Sequence, residues 1–183
     1  MNENLPKTPP KASDKSSNTD SGKKGCVVLA CGDKAPDFDL SDDAGGKVTL
    51  ASFRDRLLVL YFYPKDDTSG CTREAIDFSA LRGEFEKAGA AVLGVSADSV
   101  ASHARFKAKH KLELTLGSDD SKGMLAAYGV WAEKSMYGRK YMGIERTTFL
   151  IGKDGRICAV WSKVKVPGHA AEVLGAVKAL RAG

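Results

Sequence analysis

Cysteine attacks an electrophile as the thiolate, and the sequence around Cys71 predicts a place where that form is favoured. Upstream, Leu57-Leu58-Val59-Leu60-Tyr61-Phe62-Tyr63 is continuously apolar, as in a strand buried on both faces. A loop with Pro64, Asp66, Asp67 and Gly70 follows. Beyond it Ala75, Phe78, Leu81 and Phe85 recur at three- and four-residue steps, which predicts an amphipathic helix ended by Gly89. Cys71 therefore falls in the first turn of a helix, where free N–H groups and partial positive charge converge. A cysteine placed at random is more often an inert core residue; this placement argues for reactivity. Cys26, Cys31 and Cys158 have neither zinc-site spacing nor the density of a disulfide framework.

The elements that must hold such a site are legible downstream. Ala91-Val92-Leu93-Gly94-Val95 reads as a second buried strand. A helix after Asp98 puts Val100, His103, Phe106 and His110 near one face, and Leu112, Leu114 and Leu116 alternate as a third strand. A short helix covers Met124 to Tyr128. Thr147–Ile151 and Ile157–Trp161 flank Lys153-Asp154-Gly155, a hairpin with an Asp-Gly turn. Val173, Leu174, Val177 and Leu180 predict a closing helix, and Val48 and Leu50 a short early strand. Strands and helices alternate first and a hairpin comes late. The expected fold class is α/β, a thioredoxin-like fold with a central mixed β-sheet flanked by helices.

Composition sets the outer limits. The 183 residues are 43% hydrophobic and 28% charged, enough for one domain with a proper core. Residues 1–25 hold three of the six prolines, many Ser and Lys and almost nothing apolar, so they are expected to form a disordered polar tail ahead of one domain at 26–183. The net charge is +5, and five Lys against Glu3, Asp14 and Asp20 put +2 of it in that tail, which is weak evidence for nucleic acid. No run approaches a membrane span, no secretory h-region is seen, and the cysteine usage suits a reducing cytoplasm. The expectation is a soluble cytoplasmic monomer with neither nucleic acid nor membrane as partner.

Tyr63-Pro64-Lys65-Asp66-Asp67-Thr68-Ser69-Gly70-Cys71-Thr72-Arg73-Glu74 resembles the peroxiredoxin active-site motif Pro-x-x-x-Thr-x-x-Cys. It looks most like the branch called bacterioferritin comigratory protein, or peroxiredoxin Q. The resemblance runs from Gly32-Asp33-Lys34-Ala35-Pro36-Asp37-Phe38 to the C-terminus and takes in Gly143-Ile144-Glu145-Arg146-Thr147-Thr148-Phe149-Leu150-Ile151. It implies a thiol-specific peroxidase. Cys71 would attack a hydroperoxide and become a sulfenic acid. Thr68 would offer its hydroxyl to the thiolate or to a peroxide oxygen, and would also suit a helix N-cap. Pro64 would exclude water and shape the pocket, and Arg146 would stabilise the thiolate and hold the peroxide. Glu74 is a lesser candidate, orienting Arg146. No cofactor and no metal are implied. His103, His110 and His169 are read as structural.

One part of the pattern is broken. Many members of that branch carry a second cysteine five residues after the first, where this chain has Ile76; others carry it on the next helix, and no Cys lies between Thr72 and Ile157. With both positions empty, an external thiol (thioredoxin, glutaredoxin or a small thiol) is the expected reductant. Cys26, Cys31 and Cys158 stay open as internal alternatives. Rival readings are a peroxide-sensing redox switch sharing the same site, a thioredoxin-like disulfide oxidoreductase, which would want Cys-x-x-Cys, and a binding domain without chemistry, which would have lost Thr68, Cys71 or Arg146.

Overall fold

The computed structural model describes residues 27–183. The tail at 1–25 and Cys26 lie outside the described residues. Strands β1 (Asp39–Asp42) and β2 (Lys47–Thr49) form a small hairpin, and a 3-10 turn (Leu50–Phe53) leads to β3 (Leu57–Phe62). Helices α1 (Ser69–Ala80) and α2 (Arg82–Lys87) follow, then β4 (Ala90–Ser96), α3 (Val100–His110), β5 (Thr115–Ser118) and α4 (Gly123–Ala127). The chain closes with β6 (Trp131–Met136), β7 (Arg139–Ile144), β8 (Thr147–Ile151), β9 (Ile157–Trp161) and α5 (His169–Ala182). No helix among the described residues is long and apolar enough to cross a membrane.

The main sheet has seven strands in the order β2-β1-β5-β4-β3-β8-β9. β3, β4 and β5 run parallel, as helical crossovers require, whereas β8 and β9 join antiparallel through their hairpin. β3 sits between β4 and β8, which explains its unbroken apolar sequence: it faces helices on both sides. Tyr61 pairs with Gly94 across β3 and β4, and its ring lies over that glycine. A Cβ at Gly94 would come within 2.7 Å of the ring, so only glycine fits there. One face of the sheet packs Val59, Tyr61, Tyr63, Cys71, Phe78 and Phe85, the other Leu58, Leu60, Phe62, Leu125 and Phe149.

Several expectations change in detail. The helix predicted from Cys71 to Gly89 is two helices, broken at Leu81, where ψ turns to 0° and the amide of Glu84 bonds back to Leu81 at 2.9 Å, a three-residue step. Gly83, a poor helix former, lies in that turn. Leu112 and Leu114 are buried but precede β5, because Lys111 takes a left-handed conformation that ends α3 and turns the chain. Leu50 starts the 3-10 turn instead of extending β2. Leu180 faces outward on α5, while Val173, Leu174 and Val177 are buried. The hairpin β6–β7 was not foreseen: it forms a separate two-stranded ribbon. Its turn is Tyr137-Gly138, both at positive φ (51° and 75°), the signature of a tight two-residue connection.

Candidate active site

β3 ends at Phe62, and Pro64 cannot donate to a ladder, so the chain leaves the sheet there. The loop turns through Asp67, a non-glycine residue at φ 58°. Thr68 takes the extended conformation of an N-cap, and the first helical bond runs from the Thr72 amide to the Thr68 carbonyl at 2.8 Å. The amides of Gly70 and Cys71 precede that bond and have no acceptor within the helix. Cys71 is 1% exposed, at the third residue of α1.

Arg146 reaches this point from the short link between β7 and β8. Thr147 is the register partner of Phe62, so the residue before it arrives beside the end of β3. One guanidinium nitrogen, Nη2, lies 3.3 Å from Cys71 Sγ, and Nη1 donates to Glu74 Oε2. Gly70 leaves room for the guanidinium: a Cβ there would sit 3.3 Å from Nη2. Burial opposes the guanidinium's charge, but Glu74 and Cys71 outweigh it and hold Arg146 above its ordinary range.

Glu74 is 1% exposed on the next turn of α1. Burial lifts its carboxyl to about 7 despite the pull of Arg146. Its second oxygen, Oε1, and the Tyr61 hydroxyl are buried without a hydrogen-bond partner among the described residues. Tyr61 is raised chiefly by burial and next by Glu74 and Cys71, so its hydroxyl shares their field.

Of the residues expected from sequence, the structure brings Cys71, Arg146 and Glu74 into contact. Pro64 and Thr68 lie in the loop leading to them, both exposed. Thr68 is not a side-chain cap: its hydroxyl donates to the Lys65 carbonyl at 2.9 Å, and no helix amide reaches it. That commitment uses its proton and leaves its lone pairs as what it can offer a substrate.

Sequence reasoning missed what holds the loop. Asp66 is buried and accepts from Tyr63 Oη (2.7 Å) and Ser102 Oγ (2.8 Å), while His103 Nδ1 lies 2.8 Å from it. Its carboxyl is opposed by burial, but the bonds from His103, Tyr63 and Ser102 win and lower it. His103 Nε2 faces the Gly117 carbonyl at 3.1 Å, so the ring ties the loop to β5. Asp67 is gripped by Lys109 (2.6 Å) and His110 (2.7 Å), which secures its left-handed conformation. Thus α3 holds both aspartates of the loop. The signal was present as His103 and His110 on one helical face. Lys134, on β6, was also missed: it donates to the Ile144 carbonyl, feels both Arg146 and Cys71, and is pulled below its usual range mainly by burial.

The other described cysteines are far from this point. Through β8 and β9, Cys158 stands level with Leu58 and Val59 at the start of β3, whereas Cys71 follows its end. About 13 Å of strand separates that level from the end of β3, and β8 lies between β9 and β3.

The model of the AhpC/TSA family matches residues 31–160. The chain belongs to that family. Its relatives place it among the peroxiredoxins of the Bcp, or peroxiredoxin Q, branch. It is 51% identical to a putative peroxiredoxin bcp of Coxiella burnetii over 149 residues, 81% of this chain and 99% of that one. Peroxiredoxin Bcp of Bacillus subtilis is 46% identical over 152 residues, 83% of this chain and 97% of that one. A solved structure of Xanthomonas campestris bacterioferritin comigratory protein, described for its alkyl peroxide reduction activity, superposes with a TM-score of 0.75. It is 49% identical and covers 79% of this chain and 92% of its own. The thioredoxin-like peroxiredoxin fold and thiol peroxidase activity follow for this peroxiredoxin.

Proposed function

We propose that this peroxiredoxin reduces hydrogen peroxide and organic hydroperoxides through a Cys71 sulfenic acid, and that a thiol from outside the chain reduces that acid. The observation that carries the reading is the Arg146 guanidinium 3.3 Å from a buried thiol at the start of α1. The thiolate attacks one peroxide oxygen, the O–O bond breaks, and negative charge grows on the departing oxygen. Arg146 and the amides of Gly70 and Cys71 are already oriented when that charge develops. They therefore stabilise the transition state more than the ground state. Thr68 accepts the hydrogen of the bound peroxide, Pro64 closes the loop side of the pocket, and Glu74 fixes the tilt of Arg146.

Outside resolution rests on distance. A disulfide needs Cα atoms within about 7 Å, and the register sets Cys158 level with the start of β3 while Cys71 follows its end. Thioredoxin, glutaredoxin or a small thiol supplies the electrons. The sparse cysteine usage fits the reducing cytoplasm, where the protein is proposed to work as a monomer without nucleic acid or membrane as partner.

Stopped-flow mixing with one equivalent of peroxide should show that Cys71→Ser loses the fast oxidation step, while Cys26→Ser, Cys31→Ser and Cys158→Ser should keep it. Peptide mapping after one equivalent of peroxide should recover Cys71 as sulfenic acid or as its adduct with an added thiol. A Cys71 disulfide to another cysteine of the same chain, in good yield, would overturn outside resolution. Peroxide consumption at the wild-type rate in Cys71→Ser would overturn the assignment of the nucleophile.

A further inference from the structure

The thiol chemistry of Cys71 leaves Cys31 and Cys158 unused, and the fold brings these two together. Cys31 is the second residue of a tight turn closed by the Asp33 amide on the Ala30 carbonyl (3.1 Å), with Gly32 at φ 96° supplying the positive dihedral that such a turn requires. The chain then lies along β9, the last strand of the sheet. The Gly32 amide donates to the Ile157 carbonyl (2.8 Å), the Ile157 amide to the Asp33 carbonyl (2.9 Å) and the Ala35 amide to the Gly155 carbonyl (2.9 Å). Arg156 Nη1 adds a bond to the Gly32 carbonyl at 3.0 Å. These bonds fix the register, and in that register the Cys31 thiol donates to the backbone carbonyl of Cys158 at 3.0 Å.

We infer that Cys31 and Cys158 form a second dithiol, separate from the peroxidase centre, that a hydroperoxide oxidises to an intramolecular disulfide. With ordinary bond lengths, the thiol-to-carbonyl contact limits the two Cα atoms to about 8 Å, close to the 4.4–6.8 Å that a disulfide spans. The remaining adjustment falls on Cys31, an exposed turn residue with freedom to rotate its side chain. Cys158 is half-buried beside Gly152, and its thiol is held above its ordinary range by burial and then by Asp154 and Cys31. Cys31 is therefore the sulfur that meets the oxidant first.

The step balances. The Cys31 thiolate takes one oxygen of the hydroperoxide, giving Cys31 sulfenic acid and an alcohol, or water when the oxidant is hydrogen peroxide. Cys158 sulfur then attacks the Cys31 sulfur; the S–O bond breaks, the S–S bond forms, and the hydroxyl leaves as water with the Cys158 proton. Two thiols and one hydroperoxide become one disulfide, one alcohol and one water. The product staples the segment ahead of Lys34 to β9 and leaves Cys71 untouched.

The full-length variant Cys26→Ser with Cys71→Ser keeps only this pair and cannot turn over peroxide through Cys71. After treatment with millimolar hydrogen peroxide and alkylation, both thiols should be lost together. The monomer mass should fall by the two hydrogens, and a Cys31–Cys158 cross-linked peptide should be recovered. Adding Cys31→Ser or Cys158→Ser should abolish the cross-link. Free thiols at both positions, separate oxidation to sulfinic or sulfonic acid, or a cross-link between two chains would each overturn the inference. Because Cys71 is absent from this protein, none of those outcomes bears on the peroxidase reading.

Discussion

Replacing Glu74 with Gln should change how stability depends on pH. The carboxyl is 1% exposed, one oxygen is paired with Arg146 and the other has no partner among the described residues. Burial lifts it from 4.5 to about 7, so its folded value lies above its unfolded value. Well below the unfolded value the group is neutral in both states and contributes no penalty. Between the two values the unfolded chain gives up the proton while the folded chain keeps it, and stability falls as pH rises. Above the folded value the loss levels off at about 3 kcal/mol. From about pH 5 to about pH 8 the wild type should therefore lose about 2–3 kcal/mol that Glu74→Gln does not lose. Gln keeps the shape and its carbonyl still accepts from Arg146, which limits other effects of the change. Urea denaturation of both proteins across that range reads the difference directly. Parallel stability curves would refute the dominance of burial. A wild type that gains on the variant as pH rises would mean that the attraction of Arg146 outweighs it.

Arg146→Ala should slow peroxide oxidation of Cys71 about a hundredfold, the effect of removing a preorganised charge worth about 3 kcal/mol; stopped-flow rates at the wild-type value would remove Arg146 from the mechanism. Arg146→Lys should recover part of the rate, because a single ammonium cannot hold Cys71 and Glu74 through two separate nitrogens. Asp66→Asn should destabilise the fold by about 1–3 kcal/mol in denaturant, since it weakens a buried acceptor that Tyr63, Ser102 and His103 converge on. The same variant should slow oxidation, because the Pro64–Thr68 loop loses its hold on α3; an unchanged rate would show that the helix start is rigid without it.

The sequence by itself determined what depends on local pattern. The apolar run at Leu57–Tyr63, the loop leading to Cys71 and the periodic helix beyond it are all encoded within about 30 residues, and the structure contains each of them, the helix broken in two at Leu81. The Asp-Gly hairpin was equally legible, because its turn and both strands are contiguous. The β6–β7 ribbon was not. Met136, Tyr137, Tyr141 and Met142 are exposed on it, so no face alternates between core and solvent, and Tyr-Gly is a weak turn signal. Only the tertiary structure decided which distant side chains meet. Arg146 reaches Cys71 because β8 pairs antiparallel with β3 in a register that ends at Phe62. Asp66 is charged and lies in a loop, which predicts exposure, yet Tyr63, Ser102 and His103 converge on it and make its burial tolerable. Cys31 and Cys158 are 127 positions apart, and only the pairing of the segment at 32–35 along β9 brings the Cys31 thiol to the Cys158 carbonyl. Periodicity reports which face of an element is apolar; the register between elements, set by the packing of the whole chain, determines which functional groups touch.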